Sequence, residues 1–62
     1  MLCKTELLSM MFARLAELEC TGESMSVALR SRLEIELTLI CKILDDDVPE
    51  EYLTRLEKFI LI

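Results

Sequence analysis

One glycine and one proline stand in 62 residues, and this scarcity of chain breakers constrains the fold more than any other feature. Glycine and proline are the strongest local punctuation a chain has. Gly22 and Pro49 therefore divide the sequence into three segments. Each segment is long enough, and regular enough in its apolar spacing, to read as an amphipathic helix. The expectation is an all-α fold: one small helical domain over residues 1–62, with helices near 5–20, 24–44 and 48–60.

The first segment opens at Thr5, a suitable N-cap, with Glu6 favourably placed in the first turn. Leu8, Met11, Leu15 and Leu18 recur at helical spacing, and Leu7, Phe12 and Ala16 widen that stripe. Ser9, Ala13, Arg14 and Glu17 fall on the polar side. Met10 and Met11 are adjacent, so they point in different directions and one is expected at the surface. Thr21 and Gly22 are expected to stop the helix, since glycine readily takes a left-handed conformation past a helix end.

The second segment opens near Ser24 and carries two apolar stripes. Leu29, Leu33, Leu37, Ile40 and Leu44 form one; Ile35, Leu39 and Ile43 form the other. Together they cover more of the circumference than a surface helix normally devotes to its core. This helix is therefore expected to be covered on two sides, with Arg32 and Glu36 paired at i,i+4 spacing. In the third segment, Asp47 and Glu50 stand at capping-box spacing, and Pro49 suits a first turn. Leu53, Leu56 and Ile60 make its apolar stripe.

The expected architecture is a helical hairpin of the second and third helices with the N-terminal helix packed across it, because short connections favour antiparallel neighbours. Leu53, Leu56 and Ile60 are assigned to the hairpin core. Leu29, Leu33, Leu37 and Ile40, with Arg32 and Met11, are assigned to a partner-binding face or its border, although the sequence alone does not decide which stripe of the central helix faces the partner.

Composition bears on function. Hydrophobic residues make up 53% of the chain, whereas a domain of this size buries only about 60% of the surface its unfolded chain exposes. Some of the apolar surface is expected to be covered by another protein. The net charge of −5, from 12 acidic and 7 basic residues, disfavours a phosphate backbone as ligand. It also disfavours a membrane-surface helix, which is usually rich in Lys and Arg. Its longest uncharged run, Leu7 to Ala13, is far too short to span a bilayer. Histidine is absent, which removes the commonest general acid–base. Cys3, Cys20 and Cys41 lack the paired spacing of a zinc site and read as reduced, mostly buried thiols of a cytoplasmic protein. Asp45, Asp46 and Asp47 lack the glycine and alternation of a calcium loop. No catalytic, cofactor or metal site is expected, and the chain reads as a binding protein rather than an enzyme.

Two stretches carry a resemblance to a known family. Ala28-Leu29-Arg30-Ser31-Arg32-Leu33 lies near the start of the long helix, and Pro49-Glu50-Glu51-Tyr52 opens the last one. In these stretches and their separation, roughly the last two-thirds of the chain resembles the small E-type co-chaperones of the type III secretion needle subunit. The resemblance implies a helical hairpin that binds a larger tetratricopeptide-like chaperone. Together the two would keep the needle subunit soluble and unpolymerised in the bacterial cytoplasm. The alternative from a different class is a self-associating helical regulator, such as a homodimeric inhibitor of a transcription factor or kinase.

Overall fold

The computed structural model describes residues 3–60. Three α-helices follow one another: α1 (Lys4–Thr21), α2 (Val27–Leu44) and α3 (Glu50–Leu56). A 3₁₀ turn, Gly22–Ser24, joins the first pair, and another, Asp45–Asp47, joins the second. The all-α class, with a hairpin and a third helix, is as the periodicity predicts.

The pairing inside that class follows from where the apolar side chains fall. Leu7, Met11, Leu15 and Leu18 of α1 are buried, as are Leu33, Leu37, Ile40 and Leu44 of α2. Spacings of three and four place each set on one helix face, and the two faces close on each other. The closest helix pair is thus α1 with α2. They run antiparallel, since Lys4 at the start of α1 meets Asp47 beyond the end of α2 (3.5 Å). Val48, Leu56 and Ile60 complete the core, bringing α3 against the α1–α2 pair. Partly buried Leu8, Met10, Tyr52, Leu53 and Phe59 pack around it. At roughly 1.5–3 kcal/mol for each fully buried large apolar side chain, this cluster is the main source of stability.

The helix ends differ from the sequence expectation in instructive ways. α1 begins one residue before Thr5, with Cys3 in the N-cap position and no side-chain cap. Gly22 has φ −54°, right-handed rather than left-handed, because the chain tightens into a 3₁₀ turn instead of reversing. That turn displaces the start of α2, so its cap is Ser26 rather than Ser24. The Leu29 N–H donates to Ser26 Oγ at 3.2 Å, while Ser24 Oγ donates back to the Thr21 carbonyl at 3.0 Å. No capping box forms at α3: Pro49 occupies the N-cap without a side-chain bond, and Asp47 is paired with Lys4 instead. α3 stops at Leu56, short of the expected end near 60. The chain continues as tight turns, in which the Phe59 and Ile60 amides both bond to the Leu56 carbonyl at 2.9 Å.

Candidate interaction face

On α2 the two apolar stripes take places opposite to those expected. Leu33 and Ile40 are buried, and Leu37 is 0% exposed; all three pack into the chain's own core, as does Met11, also 0% exposed. These residues hold the fold and are not presented to a partner. Leu29 is partly open at 42%, and the Arg32 side chain is 79% exposed. Of the expected partner-binding residues, these two reach solvent.

The second stripe faces outward. Ile35, Leu39 and Ile43 are 61%, 54% and 67% exposed, three large aliphatic side chains in successive turns. At about 100° per residue, their stripe is centred about 130° around α2 from the core-facing one. Solvent exposure of one large apolar residue is ordinary; an aligned row on one helix is a candidate interaction surface. Beside it lies a groove of about 630 Å³ in which Ile35, Thr38, Leu39 and Lys42 of α2 face Phe59 and Ile60. The turns after α3 thus form its far wall.

Charged groups border this face and lock the helix behind it. Arg14 of α1 donates from Nε to Glu36 Oε2 at 3.0 Å and from an Nη to the Met10 carbonyl at 3.2 Å. Arg32 reaches the same Glu36 at 3.7 Å, the i,i+4 pair expected from the sequence. Arg30 and Glu34 form a second such pair at 3.6 Å. The Arg14 link was not legible, because its spacing placed Arg14 on the polar side of α1; only the approach of α2 makes it half-buried.

A second cluster joins α1 to α3. Phe12 and Tyr52 meet edge to face with ring centroids 6.2 Å apart. The Arg55 guanidinium lies 5.7 Å from the Phe12 centroid and 5.8 Å from the Tyr52 centroid, within cation–π range. Arg55 also forks onto Glu19, with Nε 2.9 Å from Oε2 and a second bond from Nη2 to Oε1. The hydrogen bond from Arg55 holds the Glu19 carboxyl below the ordinary glutamate range. This fork gives α3, only seven residues long, a fixed seat.

The cysteines are free; Cys3 and Cys20 are exposed, contrary to the expectation of mostly buried thiols, and Cys41 is half-buried. Desolvation pushes the Cys41 thiol pKa up, which disfavours its nucleophilic thiolate form. Among the described residues no helix is long and apolar enough to cross a membrane.

Comparison with family models, with curated proteins and with solved structures yields no match to this chain.

Proposed function

We propose that this chain is a protein-binding module that docks a helical partner on the outward face of α2, and that it acts as a co-chaperone in type III secretion. The observation that carries the binding reading is the exposed row Ile35, Leu39 and Ile43 on a helix whose other face is committed to the core. A helix with an apolar row on each of two faces has one face to spare for another helix. The groove between that row and Phe59 offers a partner helix a second wall.

The secretion assignment rests on the resemblance in Ala28 to Leu33 and Pro49 to Tyr52, and the fold is compatible with it. The chain is all-helical, and Pro49 stands at the N-cap of the short last helix. The partner would be a tetratricopeptide-like chaperone and, through it, the needle subunit, in the bacterial cytoplasm. A helical-repeat protein presents grooves between helix pairs, into which an apolar helix face fits.

The test is co-expression of the chain with a tetratricopeptide-like chaperone and a needle subunit of a type III secretion system. The expected result is a soluble discrete complex containing the chain, with the needle subunit unpolymerised. Needle subunit that stays soluble equally well when the chain is omitted would overturn the co-chaperone role.

A further inference from the structure

The outward face of α2 has a symmetry of its own. Arg32, Ile35, Leu39, Ile43 and Asp46 follow one another at spacings of three, four, four and three. The apolar members are symmetric about Leu39: Ile35 and Ile43 stand four residues to either side. The charged members are opposite in sign: Arg32 stands seven residues before Leu39 and Asp46 seven after. Both are exposed; α2 ends at Leu44, the chain turns at Asp45 (φ 51°), and Asp46 lies in the 3₁₀ turn at the C-terminal end of the helix.

We infer that this face pairs with a second copy of the chain, the two α2 helices crossing antiparallel at Leu39. A two-fold axis through that point is the isologous arrangement in which one patch meets itself. Leu39 then faces its own symmetry mate, each Ile35 faces an Ile43, and each Arg32 faces the acidic end of the other α2. A parallel pairing would set Arg32 against Arg32 and the aspartate run against its copy, so charge selects the antiparallel sense. Arg32 is loosely held within its own chain, 3.7 Å from a Glu36 that already receives Arg14. Its guanidinium is therefore available to an incoming carboxylate.

The contact involves one helix per copy, so it belongs with small, transient interfaces rather than obligate ones. This inference rests on the same outward stripe as the proposed function and adds a regulation to it. Self-pairing and partner binding use one face, so they exclude each other. The dimer is the form in which the apolar row is covered until a heterologous partner displaces the second copy.

The experiment is sedimentation equilibrium of the full chain alone, from micromolar to millimolar concentration. Wild type is expected to pass reversibly from monomer to dimer. Leu39→Glu, at an exposed position, is expected to retain helical circular dichroism and stay monomeric. Arg32→Asp and Asp46→Arg are each expected to weaken pairing on the order of tenfold, since each reverses two symmetry-related ion pairs. The double variant Arg32→Asp/Asp46→Arg is expected to recover it. A wild-type monomer throughout the range would overturn self-pairing and leave partner binding standing. A dimer indifferent to Leu39→Glu would place the contact elsewhere, and failure of the double variant to recover would overturn the antiparallel register.

Discussion

Arg14 of α1 and Glu36 of α2 meet side chain to side chain at 3.0 Å, twenty-two residues apart in the chain. The contact sits at the edge of the core, with both side chains roughly two-thirds or more covered. It links the paired helices near their middle, and Arg32 joins it only loosely from the solvent side. Exposed ion pairs contribute at most about 1 kcal/mol, but a partly covered, hydrogen-bonded one is at the upper end. Arg14→Gln is expected to destabilise the fold by about 1 kcal/mol, and Arg32→Gln by less than about 0.5 kcal/mol. Urea titration followed by circular dichroism separates them; equal effects would contradict the role given to Arg14.

The two stripes of α2 predict opposite sensitivities. Leu37 is fully buried and Leu39 is half exposed, yet they are two residues apart. Leu37→Ala is expected to cost about 2–5 kcal/mol through lost burial and the cavity left behind. A domain this small rarely has more than about 3–5 kcal/mol to lose, so the variant is expected largely unfolded at room temperature. Leu39→Ala is expected to change stability within about 0.5 kcal/mol. The same urea titration reads both.

Gly22 occupies right-handed backbone, φ −54°, and a Cβ built on it meets nothing within 4 Å. Its conformation does not require glycine. Gly22→Ala is expected to be neutral or to stabilise by up to about 1 kcal/mol, chiefly by restricting the unfolded chain. A thermal melt that falls instead of rising or holding would contradict the assigned turn.

The Glu19–Arg55 fork makes the seat of α3 sensitive to acid. Arg55 lowers the Glu19 pKa in the folded state. A carboxyl lowered on folding stabilises the fold above its unfolded pKa, and this contribution is lost as pH falls through the folded value. The pH window is thus at and below the ordinary glutamate range. Stability measured across that range is expected to fall more steeply in wild type than in Glu19→Gln. Because the pair is exposed, the difference is expected to be small and to shrink in salt. Identical pH profiles would contradict the coupling.

The three helices, the approximate extents of the first two and the Arg32–Glu36 pair are legible from spacing alone. Which stripe of α2 turns inward is not. Leu33, Leu37 and Ile40 form one row and Ile35, Leu39 and Ile43 the other; both are aliphatic and both follow the helical period. Burial is decided by what docks on them, and that is α1, through Met11, Leu15 and Arg14. The hairpin is formed by α1 and α2 rather than by the expected second and third helices, because the seven helical residues of α3 supply too little packing surface. A charged substitution at Leu33 would act on the core; Leu39 is the informative position for a partner face. The caps were missed for a similar reason. Ser24 and Ser26 are equally good candidates by type, and the intervening 3₁₀ turn, which decides between them, leaves no mark in apolar periodicity.

The most direct test of the outward stripe as a docking face is the light-scattering mass of two proteins, wild type and Leu39→Glu, each co-expressed with the tetratricopeptide-like chaperone proposed as its partner. The expected result is a discrete heterocomplex for wild type, and for Leu39→Glu a folded chain that elutes apart from the chaperone. A Leu39→Glu chain that still enters the complex with wild-type stoichiometry would contradict the assignment of that face.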